Sequence, residues 1–176
     1  KMNKKQLSLT GEILEETIPH GKIKCIITGK LRRDTPEERV RQEVARSLME
    51  EYGYEKKDME VDFQIKMGRA KPKPDIVIFY EGKKHKQENI YIIIETKRED
   101  IKPSDREEGI GQLESYLAAS PNAKFGLWVG NERIALQVVE KAGKRVCVRI
   151  PDIPPRGETT APRPTRGSLV PAINLK

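Results

Sequence analysis

Cysteine and histidine are nearly absent, with two of each in 176 residues. Cys25 and Cys147 cannot form a disulfide framework, and their spacing matches no zinc pattern. With only His20 and His85 besides, the chain lacks the soft ligands of a structural zinc site and the histidine supply of a His-based triad. Any metal is therefore expected to be hard and oxygen-bound, and the expected compartment is a reducing cytoplasm. Long apolar runs are also missing. The longest, Asp75–Phe79 and Ile90–Ile94, have strand length, far short of the ~18 residues of a membrane span, which excludes a membrane protein. Lys1–Leu9 is basic and polar with no apolar stretch after it, so no secretory signal is visible; the opening Lys suits a processed or cut chain. No internal repeat is present.

What the chain has in excess is charge. Charged residues make up 35% against a usual share of roughly 25%, and hydrophobic residues 36%, so the core is lean and the surface ionic. A mass of 20.1 kDa leaves room for one core and a tail. The net charge of +7 invites a nucleic-acid reading, but most of the excess lies at the ends. Residues 1–35 carry eight Lys/Arg against four Asp/Glu, residues 151–176 four against two, and residues 36–150 22 against 21. The local run Lys66, Arg69, Lys71 and Lys73 has no acid within it and makes these residues candidate DNA contacts; its plain alternative is a solvated basic loop.

Half of the twelve prolines fall in the last 26 residues, so 151–176 is expected to be an extended linker and the folded domain, 1–150 with its core at 35–150, to end near Ile150. Asp34 or Thr35 can cap a helix over 36–52, with Pro36 first, Glu37 and Glu38 in the first turn, and Val40, Val44, Leu48 and Met49 at helical spacing. Val61, Phe63 and Ile65 alternate with polar residues as in a half-buried strand over 61–66. The runs 75–80 and 90–96 are β-branched and nearly continuous, as in strands covered on both faces, with a polar turn over 82–88. Ser104 and Glu107 have capping-box spacing before a helix with Ile110, Leu113, Tyr116 and Leu117 as its apolar stripe, ending at Ser120-Pro121. Strands over 124–129, 134–139 and 146–150 follow, and 23–27 is expected as a short strand. The chain reads as α/β with a mixed sheet, in the order α-β-β-β-α-β and a terminal β-hairpin.

The chemistry gathers at two strand ends. The period of two puts Glu95 and Lys97 on one face of the strand 90–96 and Thr96 on the other. Pro74-Asp75 starts the preceding strand, and in an antiparallel hairpin the start of one strand lies beside the end of the next. Asp75 and Glu95 can then share one cation. Mg²⁺ suits that pair, because it takes one or two carboxylates and keeps waters and phosphate oxygens as its other ligands. Lys97 beside it can position or deprotonate a water, and the set can hydrolyse a phosphodiester. The plain alternative is a strand turning polar as it leaves the core.

Pro74-Asp75 and Glu95-Thr96-Lys97 in this order of elements resemble the PD-(D/E)XK nuclease superfamily, whose restriction-endonuclease-like core carries these motifs on adjacent central strands. Glu43 on the first helix and Gln112-Leu-Glu-Ser-Tyr116 on the second match further elements of such nucleases; otherwise they read as solvated or ordinary core residues. The stretch Ile27–Glu43, Gly53-Tyr54, Lys73-Pro-Asp75 and Gly126-Leu-Trp-Val-Gly-Asn131 resemble, over roughly residues 22–150, the N-terminal nuclease domain of type I restriction enzyme R subunits and related restriction-methylase fusions. That family more often has Thr-Asn-Gly where this chain has Val129-Gly-Asn131.

The resemblance implies an endodeoxyribonuclease of a restriction-modification system with Mg²⁺ as cofactor and Mn²⁺ able to substitute. Asp75, Glu95, Glu43 and the Thr96 backbone carbonyl would serve the metal, Lys97 would position the water, and Gln112 and Tyr116 would shape the site. It implies double-stranded DNA as substrate and, as partners, a helicase or methyltransferase domain in the same polypeptide or a specificity subunit. No ATP-binding Gly-rich loop or methylase motif occurs in the chain itself. Two rivals are a non-catalytic DNA-binding or docking domain on the same fold and a structure-selective repair or recombination nuclease.

Overall fold

The computed structural model describes residues 17–159. A two-stranded hairpin, β1 (Lys22–Lys24) and β2 (Leu31–Arg33), precedes helix α1 (Pro36–Glu50). Strands β3 (Met59–Val61), β4 (Ile76–Phe79) and β5 (Ile90–Thr96) follow, then helix α2 (Ile110–Ala119), β6 (Phe125–Val129), β7 (Arg133–Lys141) and β8 (Lys144–Ile150). The six strands β3 to β8 form one sheet in sequence order, antiparallel except for the parallel pair β5–β6 that α2 connects. The order from α1 onward is the expected α-β-β-β-α-β with a hairpin after it.

The alternation of β4 and β5 builds three layers. Ile76, Ile78, Ile92 and Ile94 meet Val44, Ala45 and Leu48 of α1, whereas Val77 and Ile93 meet Leu113, Tyr116 and Leu117 of α2. All six β-branched residues of the two strands in these contacts are fully buried, each contributing about 2 kcal/mol of hydrophobic burial. Gly126 lets α2 lie directly on β6, since a Cβ there would stand 2.8 Å from Leu117 Cδ1. α1 begins at Pro36 because the Thr35 hydroxyl accepts from the Glu38 amide at 3.1 Å, and it ends before Gly53, whose φ of 74° few other residues adopt.

Several expectations are corrected. The alternation over 61–66 is not a strand: pairing stops after Val61, because the register brings Pro74, which has no N–H, opposite Phe63, and Asp62 turns to φ 52°. Ile65 is still buried, in a loop folded over the α2 side of the sheet. Ser104 does not cap α2. The Asp105 carboxylate accepts the Glu107 and Glu108 amides at 2.9 and 2.8 Å, and the helix starts only after the extended Gly109. The short strand is Lys22–Lys24, and its partner β2 had no apolar signature. α1 stops at Glu50, not residue 52.

Packing also continues past Ile150. Ile153 is fully buried in the α1-side core, the Tyr54 hydroxyl donates to the Pro154 carbonyl at 2.6 Å, and Arg156 pairs with Glu55 and Glu81. Proline here shapes a strap across the body. Residues 160–176, the rest of the expected linker, lie outside the described residues.

Candidate active site

β4 and β5 bring their charged ends together. The register that pairs Ile76 with Ile94 places Asp75 beside Glu95, and the Asp75 amide donates to Glu95 Oε1 at 3.1 Å. Asp75 Oδ2 accepts from the Thr96 amide at 2.8 Å and the Thr96 hydroxyl at 3.2 Å. Lys97 Nζ lies 3.3 Å from Glu95 Oε2. Asp75, Glu95 and Lys97 are each no more than 6% exposed. Burial and the neighbouring Asp75 carboxylate push the Glu95 carboxyl up to about 8; the Lys97 charge opposes the shift without cancelling it.

Helix α1 supplies the third side. Arg41 Nη2 donates to Asp75 Oδ1, and Arg41 Nη1 stands 3.3 Å from Glu38 Oε2 and 3.5 Å from Asp62 Oδ1. Arg32 of β2 bonds the same two acids at 2.9 Å each, and Gln42 donates to Glu38 Oε1 at 2.8 Å. The hairpin β1–β2 thus anchors the acids that Arg41 touches. Glu37, half-buried, is raised by burial and by the field of Asp75, with Lys97 and Arg41 opposing.

Glu43 is not brought to this cluster. It is exposed and lines a separate cleft of about 510 Å³ with Arg39, Arg98, Glu99 and Asp100. Glu37, Glu38 and Arg41 were missed, although a signal existed. Continuing the buried stripe Leu48, Ala45 and Val44 toward the N-terminus at helical spacing leads to Arg41 and then Glu37 and Glu38.

Gln112 and Tyr116 share one face of α2 and one wall of a cleft of about 360 Å³. Met67 and Pro72 line its other side, from the loop that carries the basic run. Burial and the fields of Glu95 and Asp75 raise the Tyr116 phenol to about 12, which marks this wall as adjoining the carboxylates. Gln112 stands one helical turn before Tyr116, and its Oε1 is buried without a partner. Lys66, Arg69, Lys71 and Lys73 are all exposed on a small arm, closed by bonds from Ile65 to Pro72 and between Met67 and Ala70. The Gln87 side chain ties the arm to the end of α2 by donating to the Lys66 and Ala119 carbonyls.

Among the described residues, no group of three or more His, Cys, Asp or Glu side chains converges to hold a metal ion. Asp75 and Glu95 fit an ion that needs two carboxylates and completes its shell with waters and phosphate oxygens, as Mg²⁺ does. The Thr96 side chain and amide are committed to Asp75.

Gly130, where the chain departs from Thr-Asn-Gly, occupies a tight place: a Cβ there would stand 2.5 Å from the Trp128 ring and 2.8 Å from the Ile101 carbonyl oxygen. The loop keeps a glycine, one position earlier. A family model described as the type I restriction enzyme R protein N terminus matches residues 36–154, from the first residue of α1 to the buried strap. No curated protein and no solved structure matches the chain.

Proposed function

The chain belongs to the family of type I restriction enzyme R protein N-terminal regions, and from that premise we propose that it is the Mg²⁺-dependent endonuclease domain of a DNA restriction-modification enzyme, with a PD-(D/E)XK site. One observation carries the reading: Asp75, Glu95 and Lys97, three ionisable side chains, are buried together at the end of an apolar sheet. Such burial costs several kcal/mol and contributes nothing to packing that apolar residues would not do better. It supports a site kept for chemistry over the docking-domain rival, and the family favours restriction over repair.

Asp75 and Glu95 hold the ion in this reading. When bound, Mg²⁺ polarises the phosphoryl group and lowers the pKa of water, with Mn²⁺ able to replace it. Lys97 Nζ positions the attacking water and offsets the charge that develops on the phosphoryl oxygens. The arm with Lys66, Arg69, Lys71 and Lys73 binds phosphates of double-stranded DNA, and the Gln112–Tyr116 wall receives the strand next to the carboxylates. Partners follow from the restriction role: a helicase or methyltransferase region and a specificity subunit, working in a reducing cytoplasm where Cys25 and Cys147 stay unpaired. Among the described residues no helix is long and apolar enough to cross a membrane.

The test is Lys97→Ala in the full-length enzyme with its partners. Plasmid cleavage should fall by about 10² to 10⁴, the range of a general acid–base group, while Mn²⁺ binding persists. Cleavage at the wild-type rate would show that Glu-Thr-Lys is only a polar strand end.

A further inference from the structure

The hydrogen-bonding capacity of Asp75 is almost fully taken. Oδ2 accepts twice from Thr96, and Oδ1 accepts from the Arg41 guanidinium. Oδ1 keeps one lone pair, but a cation taking it would meet the guanidinium charge at contact distance, so a donor has to give way. The Thr96 amide belongs to β5 and cannot leave without breaking the strand end. Arg41 can leave, because its other terminal nitrogen already lies 3.3 Å from Glu38 and 3.5 Å from Asp62. Its Nε is also buried without a partner, so the present pose is not that of a fully satisfied structural strut.

We propose that Arg41 is the resident counter-ion of Asp75, closing the site in the ion-free protein, and that it yields Asp75 to a divalent cation by shifting onto Glu38 and Asp62. This deepens the nuclease reading and rests on Asp75 being a metal ligand. Arg32 and Gln42, which hold Glu38 and Asp62 in place, position the acceptors for the shifted guanidinium. The apolar face of α1 keeps the helix fixed, so the side chain alone moves.

The experiment is calorimetric titration of Mn²⁺ into the chain and its variants. Arg41→Met keeps length and removes the competing charge; it should bind Mn²⁺ more tightly by about tenfold or more, given a unit charge removed at contact distance from a ligand carboxylate. Asp62→Asn removes a landing partner and should bind more weakly. A simple change in local field would give those same two signs, so the double variant decides. If Asp62 acts through Arg41, the Asp62→Asn effect vanishes in the Arg41→Met background; additive effects overturn the proposal. Binding no tighter in Arg41→Met also overturns it, leaving the ligand reading intact if Asp75→Asn abolishes binding. Asp75→Asn binding like wild type, or no Mn²⁺ binding by any form, sinks both. Should Arg41→Met not fold, Asp62→Asn alone can still overturn the proposal: its side chain is 37% exposed, asparagine tolerates the left-handed backbone, and unchanged binding refutes the shift.

Discussion

Glu95→Gln tests the electrostatics of the site without any DNA or partner. In the ion-free protein Glu95 is raised from 4.5 to about 8, so its folded-state pKa exceeds its unfolded one. Below about pH 4.5 both states hold the proton, and the shift has no effect on stability. Between about 4.5 and 8 the folded state keeps a proton that the unfolded state has lost, so stability falls as pH rises, by at most about 1.4 kcal/mol per pH unit. Above about 8 the loss is complete. The full shift sets a ceiling of about 5 kcal/mol, and the coupling to Asp75 and Lys97 brings the expected loss to roughly half of that. The substituted glutamine has no proton to lose but keeps an oxygen for the Asp75 amide. Urea denaturation in EDTA should therefore show the variant gaining on wild type by about 2–3 kcal/mol from mildly acidic to mildly alkaline pH. Groups that do not interact with Glu95 contribute equally to both proteins and cancel. Two stability curves that stay parallel, within about 0.5 kcal/mol, would refute the buried-pair reasoning.

Three further outcomes are expected. Because the ion competes with the Glu95 proton, Mn²⁺ affinity should rise between about pH 6.5 and 8, with proton release seen as a buffer-dependent binding heat; a flat profile would count against Glu95 as a ligand. Ile153→Ala should cost about 2–4 kcal/mol in urea denaturation, because a fully buried side chain is removed from the α1-side core, whereas a solvated linker would lose almost nothing. Gly130→Ala should cost about 1–3 kcal/mol by overpacking, since both neighbours of the added Cβ, a buried indole and a backbone carbonyl, are poorly able to move. An unchanged denaturation midpoint would contradict that contact.

The sequence by itself determined the parts governed by local pattern. Ile90–Thr96 is β5 to the residue, and α1 starts where Thr35 and Pro36 place it, because apolar periodicity and capping act over a few residues. The meeting of Asp75 and Glu95 was also legible, since a hairpin between two apolar runs leaves little choice of register. The tertiary structure alone decided what depends on which surface faces which. Phe63 and Ile65 satisfy their hydrophobicity in a loop over the sheet, and Ile153 in a strap, because burial asks for contact and not for a particular backbone. The choice of Glu37, Glu38 and Arg41 over Glu43 follows from the face α1 turns to the sheet end, set by how Val44, Ala45 and Leu48 pack on Ile76 and Ile94. The contact of Arg41 with Asp75 spans 34 residues of sequence. No local rule reports it, for the energy that selects it exists only once two layers have closed on each other.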